Sequence, residues 1–251
     1  MRVATIGERL KLAALAVAGI SVVSIPVTLA LVFSATGASD VLTIGAGRPQ
    51  GEHATPAHAV ARSRCVASRG YYALTFDDGP SAATTRRLVA ALKDAHAVAT
   101  FFDVGQRAAA RPDLVELQRS VGHVAGHGYS HQPLSELTQR QRIAELQATA
   151  RILDYPNALL RPPGAIDPAS EADVRRSGLT VVGWTVDADD TPASADAIVR
   201  RALGVRAGGI VRLHDGVEAT VEAVPAIVEG LRERGLCPGF VAANGERAVK
   251  P

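Results

Sequence analysis

Two neighbouring carboxylates, Asp77 and Asp78, stand at the end of the apolar run 71–74 and are followed at once by Gly79 and Pro80. Charges this close repel, so one of them needs a metal, an arginine or a proton beside it. Neighbours on a strand point to opposite faces, so two useful carboxylates side by side imply a chain already leaving its strand. A solvated Asp-Asp-Gly turn is the plain alternative. His127 and His131 are four apart in His-Gly-Tyr-Ser-His. On one helical turn that spacing puts both imidazoles on the same face, a common metal half-site. With Asp78 they make a His-His-Asp set. Three protein ligands leave a position open for water, the pattern of a catalytic rather than a structural metal site. Zinc suits two imidazoles and a carboxylate best, and other divalent metals fit as well.

Three further groups can take part. Arg161 opens Arg-Pro-Pro-Gly, and its permanent charge near Asp77 would hold that carboxylate in place. A surface arginine in a stiff loop is the alternative. Trp184 begins a stretch holding Asp187, Asp189 and Asp190, and an acidic turn explains any one of these taken singly. His214 precedes Asp215. An imidazole titrating near about pH 6.5 suits proton donation, and a neighbouring carboxylate would keep it protonated. A structural histidine is the alternative there, and His96 and His123 fall in that structural class.

Apolar runs suited to strands occur at 71–76, 98–102, 123–125, 159–161, 180–184 and 209–213, and most of the candidate groups follow one of them directly. Helical patterns separate them at 81–95, 112–121, 135–153, 168–177, 194–203 and 217–234, the last interrupted by Pro225. This alternation predicts an α/β fold, a distorted (β/α) barrel of about seven parallel strands joined by right-handed crossovers. In such a barrel functional side chains gather at the C-terminal ends of the strands. An open doubly wound sheet is the alternative, without the glycine-rich loop that a nucleotide-binding version needs after its first strand.

The globular part is predicted over 65–251. Ahead of it, Arg2, Arg9 and Lys11 precede an apolar run over 12–33 that is long enough to span a bilayer. Residues 1–38 therefore read as an N-terminal hydrophobic helix, an uncleaved membrane anchor in preference to a cleaved signal peptide, and 39–64 as a flexible tether carrying His53 and His58. Either way the remainder is exported, to the cell surface or beyond it. The only two cysteines, Cys65 and Cys237, then read as a disulfide joining the two ends of the domain. Closing so long a loop stabilises by roughly 4–5 kcal/mol in the chain-entropy model. The net charge of +2 offers no strong field for nucleic acid.

The order and content of these motifs resemble the polysaccharide deacetylase family, also called the NodB-homology domain or carbohydrate esterase family four, over roughly residues 70–243. Thr75-Phe76-Asp77-Asp78-Gly79-Pro80 looks like the first motif without change. Residues 127–131 look like the second, 161–164 the third, 184–190 the fourth and 213–215 the fifth. The resemblance implies metal binding by Asp78, His127 and His131, Asp77 as general base and His214 as general acid. It implies that Arg161 steadies Asp77 and that Asp190, with Asp187, tunes His214. Trp184 and the backbone of Gly164 would face the substrate or its oxyanion. Three positions depart from the pattern: Gly128 stands for a usual Ser or Thr, Gly164 for an aromatic, and Thr191 for a Trp.

The activity so implied is metal-assisted removal of N-acetyl groups from an extracellular polysaccharide, peptidoglycan or a chitin-like glycan, with release of acetate. An O-acetyl esterase, a silent wall-binding domain and a metal-dependent phosphoesterase are the alternatives. No cluster of basic residues at the strand ends supports the last.

Overall fold

The computed structural model describes residues 65–154 and 158–251. The predicted anchor over 1–38 and the tether over 39–64, with His53 and His58, lie outside the described residues. No helix among the described residues is long and apolar enough to cross a membrane.

The first strand, β1 (Gly70–Gly79), is the centre of the sheet. Ten residues are enough to serve three parallel neighbours. Gly70–Ala73 pair with β8 (Leu236–Val241), Ala73–Asp77 with β7 (Ile210–His214), and Thr75–Gly79 with β2 (Ala99–Asp103). Beyond β2 come β3 (Gly122–Gly126), β4 (Leu159–Leu160) and β5 (Thr180–Val181), and beyond β7 comes β6 (Val186–Asp187). The order β5-β4-β3-β2-β1-β7-β6 is parallel throughout. Only β9 (Ala248–Val249) runs antiparallel, against β8.

The two edges of this path, β5 and β6, are consecutive in sequence. The four residues between them span at most about 18 Å. A flat seven-strand sheet would hold its edges about 29 Å apart. The sheet must therefore curl, and it does so as an open half-barrel. Val182 N still donates to Leu160 O and Thr185 N to Ile210 O, so only Gly183 and Trp184 bridge the seam. The expected distorted barrel is corrected to this extent: β5 and β6 do not pair, so it stays open.

Side-chain alternation along β1 divides the core. Tyr72, Leu74 and Phe76 point outward into the main apolar cluster, where they meet α1 (Thr85–Asp94), α6 (Ala195–Ala202) and α7 (Glu218–Glu233). Ala73 points inward, among Phe102, Ala125, Leu159, Val182 and Ile210. Thr75 and Asp77 continue the inner row toward the C-terminal end, where the interior becomes polar. Helix α7 runs unbroken through Pro225, contrary to the predicted interruption. Burial of Ala223, Val224, Ile227, Val228 and Leu231 offsets the roughly 3 kcal/mol that an internal proline costs.

Four short elements carry too little period to be read in advance: α2 (Gly105–Ala110), β6, β8 and β9. Helices α3 (Pro112–Arg119) and α5 (Pro168–Arg176) follow their predicted spans. Helix α4 (Gln139–Leu153) begins later than predicted, at a capping box between Thr138 and Gln141, and Leu134–Glu136 before it form a 3-10 turn. The disulfide Cys65–Cys237 is present, with Cα atoms 5.6 Å apart, and fastens the entry to β1 onto β8.

Candidate active site

The paired carboxylates owe their shared direction to a bulge rather than to a strand end. In the β1–β2 register Asp77 faces Phe102 but Gly79 already faces Asp103, so Asp78 is the extra residue. Its φ of 67° turns it into the left-handed region, and Arg107 of α2 donates to its carbonyl. Both carboxylates can then face one cavity from adjacent positions. A Cβ at Gly79 would run into Asp103 Oδ1, so the next residue must be glycine.

The histidine pair converges by a loop, which corrects the helical-turn expectation. Residues 127–131 follow β3 with left-handed backbone at Gly128 (φ +73°) and His131 (φ 67°). The unexpected glycine is therefore suited to its position, since a side chain is strained at that φ. Glu145 of α4 anchors the loop by accepting from the backbone N–H groups of Tyr129 and Ser130, each at 2.8 Å. His127 Nδ1 donates to Arg161 O at 2.6 Å, which leaves Nε2 as the lone-pair nitrogen of the neutral ring.

Asp78 Oδ1 lies 3.4 Å from His127 Nε2 and 2.8 Å from His131 Nε2. One ligand atom from each of the three lies within 4.8 Å of the others. Asp78 Oδ1 is buried and accepts no aligned hydrogen bond despite those close nitrogens, an orphaned acceptor that a cation would satisfy. Burial raises the Asp78 carboxyl, but His127, His131 and His214 outweigh it and bring it down to about 2. Burial lowers His131, which favours the neutral form that a metal ligand needs, with Asp78 opposing. The donor set fits a divalent metal.

On the sealed side, Arg161 Nη1 donates to Asp77 Oδ1 at 2.7 Å and to Thr75 Oγ1 at 2.8 Å. Its Nε and Nη2 donate to the Val182 and Gly183 carbonyls, at 3.3 and 2.8 Å. Arg161 is only 1% exposed and Asp77 2%. The guanidinium thus fills the seam where β5 and β6 fail to pair, and it rests 4.3 Å from the Phe102 ring centroid. Burial lowers the Arg161 pKa, with Asp77 opposing.

Next to Asp77 at the end of β7, His214 is held in the same way: Asp190 accepts from it twice, from Nδ1 at 2.6 Å and from the backbone N–H at 2.8 Å, and Thr220 of α7 donates to the same carboxylate. Burial pulls His214 down, but Asp190, with Asp77 and Asp78 behind it, raises it overall. Asp190 itself is lowered: burial opposes, and the bonds from His214 and Thr220 prevail. Asp187 sits elsewhere than expected. It binds Arg212 Nη2 at 2.6 Å rather than His214. Trp184 is 41% exposed, and Gly164, with φ +66°, lies on the rim. One cavity of about 170 Å³ is lined by Asp77, Asp78, His127, His131, Arg161, Gly164, Trp184, Arg212 and His214.

Residues 66–182 match the family model described as polysaccharide deacetylase. The solved family 4 carbohydrate esterase from Streptomyces lividans, in complex with acetate, is 37% identical and superposes with a TM-score of 0.70, over 72% of this chain and 98% of that one.

The chain belongs to the polysaccharide deacetylase family.

Other members are similar in sequence. A chitooligosaccharide deacetylase of Sinorhizobium fredii is 32% identical over 64% of this chain and 86% of its own. A bifunctional xylanase/xylan deacetylase of Cellvibrio japonicus is 36% identical over 72% of this chain, and a peptidoglycan-N-acetylmuramic acid deacetylase of Bacillus subtilis 30% over 65%. The chain spans 29% and 36% of the lengths of these last two relatives.

As a polysaccharide deacetylase-family site, this one has supports that motif reading passes over. Arg107, Glu145, Thr220 and Arg212 each act through contacts distant in sequence. Asp103 and Asp215 are buried beneath Gly79. Asp215 accepts from Thr84 and Thr85, and burial raises it. Burial pushes Asp103 up to about 8, against a hydrogen bond from Gln118 and with the Asp215 charge adding to the rise. Only the Asp-Asp-Gly spacing hinted at this layer. His123 packs its ring on Phe240, in keeping with a structural role.

Proposed function

We propose that this chain is a metal-dependent hydrolase that removes N-acetyl groups from an extracellular polysaccharide. The observation that carries the reading is the single cavity lined by the Asp78–His127–His131 trio, the Asp77–Arg161 pair and His214, with Asp190 holding His214 from behind. A divalent cation on the trio, zinc by the chemistry of its donors, would supply Lewis acidity toward the acetamido carbonyl and a more acidic water.

The chain's own groups divide the proton transfers. Arg161 occupies Asp77 Oδ1 and leaves Oδ2 to take a proton from the attacking water as general base. The Gly164 N–H, with no side chain to crowd it, is assigned to the developing oxyanion. Trp184 offers its exposed face to a sugar ring. Asp190 holds His214 Nδ1, so the proton delivered to the departing amine comes from Nε2. A C–O bond forms, the amide C–N bond breaks, and acetate and a free amino sugar are the products.

The domain proposed to do this is 65–251. Its disulfide suits an oxidising exterior, and the apolar run over 12–33 suits an exported, surface-held protein. Peptidoglycan or a chitin-like glycan is the proposed substrate. Acetate release from peptidoglycan, chitin oligomers and acetylated xylan, with zinc added, tests the assignment. Asp77→Asn and His214→Ala are expected to lose about 10²–10⁴-fold in kcat. Release from xylan alone would reassign the chain as an ester hydrolase. Binding without release from any of the three would make it a wall-binding domain.

A further inference from the structure

The two arginines of the cavity are used differently. Arg161 has Nε, Nη1 and Nη2 all engaged by the protein. Arg212 comes from β7, opposite Thr75 and two residues before His214, on the row of side chains that faces the cavity. Among the described residues only its Nη2 has a partner, Asp187, and its Nε is buried without one. Its guanidinium carbon lies 4.0 Å from the centroid of the Trp184 ring, which orients the planar fork, and its side chain is 26% exposed. A half-satisfied guanidinium at this depth is costly unless something else completes its hydrogen bonds.

We propose that Arg212 is a specificity-determining residue that receives the carboxylate of an acidic sugar adjoining the acetamido group under attack. The inference rests on the deacetylase reading of the same cavity and narrows its substrate to acetylated glycans bearing carboxylates. An arginine fork matches a carboxylate in geometry as well as charge, whereas a neutral chitin-like chain has nothing to place against it. Trp184 supplies the apolar face beside the fork, so sugar ring and carboxylate are met together. Asp187 holds the fork by one nitrogen and partly neutralises it, as suits a site that must also release its product.

The test compares kcat/KM on chitin oligomers with kcat/KM on peptidoglycan glycan fragments freed of their stem peptides, so that N-acetylmuramic acid carries its free carboxylate, using the full chain. Wild type is expected to prefer the acidic fragments, with a KM that rises with salt. Arg212→Met should lower the ratio of the two at least tenfold, chiefly through KM for the acidic substrate, and Arg212→Lys should restore part of it. An unchanged ratio in both variants, with only a lower melting temperature, would overturn the inference and leave Arg212–Asp187 as a tie between β6 and β7. Should wild type release no acetate at all, the deacetylase reading fails separately. Calorimetric titration with the same two fragments then decides the point: tenfold weaker binding of the acidic one by Arg212→Met supports the role, and equal binding ends it.

Discussion

The two halves of the cavity are built to different degrees of completion. On the sealed half, Asp77, Arg161, His214 and Asp190 are all held by bonds within the protein, and Arg161 and Asp190 are almost wholly buried. On the ligand half, His131 lies on a loop, two of the three members have left-handed backbone, and Asp78 Oδ1 has no aligned donor. Left-handed non-glycine residues cost of order 1–3 kcal/mol each. The contrast teaches that one half is finished by folding alone and the other by what it binds. Disturbing the first should injure stability; disturbing the second should injure only the response to metal.

The largest effect is expected on the sealed half. Arg161→Met would leave Asp77 buried and unpaired and strip donors from the Val182 and Gly183 carbonyls at the seam. A loss of about 3–5 kcal/mol in unfolding free energy is expected, read by urea or thermal melts. Adding Asp77→Asn to that variant should recover part of the loss. If it recovers none, the seam rather than the stranded charge is the cause.

Much of the sealed half was readable from sequence, because three of its four members sit at the end of an apolar run. Asp77 ends the inner row of β1, Arg161 follows β4, and His214 ends β7, so the strand-end rule placed them together. The ligand half was readable only in residue type. The bulge at Asp78 depends on a register with β2 that no local pattern announces. The loop that converges His127 and His131 depends on Glu145, more than a dozen residues further along. The apolar runs at 159–161 and 180–184 announce β4 and β5, but nothing in them shows that β5 ends two residues into its run, and β6 is too short to have a period, so the open seam was invisible. The resemblance grouped Asp187 with Asp190, but β6 presents it to Arg212 instead.

An intermediate effect is expected on the ligand half. Zinc at a hundred times its dissociation constant should stabilise the wild type by about 2.7 kcal/mol. His131→Ala should abolish most of that gain while leaving the metal-free unfolding free energy within about 1 kcal/mol of wild type, because the side chain is partly exposed and fills no core space. Asp77→Asn should keep the zinc-induced gain although it loses activity. A variant set in which zinc stabilises His131→Ala as much as wild type would remove the trio as the metal site, and with it the distinction between the halves.

The smallest expected effect is a shift in pH rather than a loss. His214 is raised above its ordinary value because Asp190, Asp77 and Asp78 outweigh burial, so the proton-donating imidazolium persists above about pH 6.5. A raised histidine contributes stability that is fully present below its unfolded value and is lost as pH rises through the folded value. The basic limb of the kcat profile should therefore lie above the ordinary histidine value. Asp190→Asn removes the nearest charge but leaves a side-chain oxygen to accept from Nδ1. Its basic limb should move toward acid while the melting temperature becomes less sensitive to pH across the same window. A lower kcat with an unmoved limb would mean that Asp190 only orients the ring, and that the proton reaching the amine comes from another donor in the cavity.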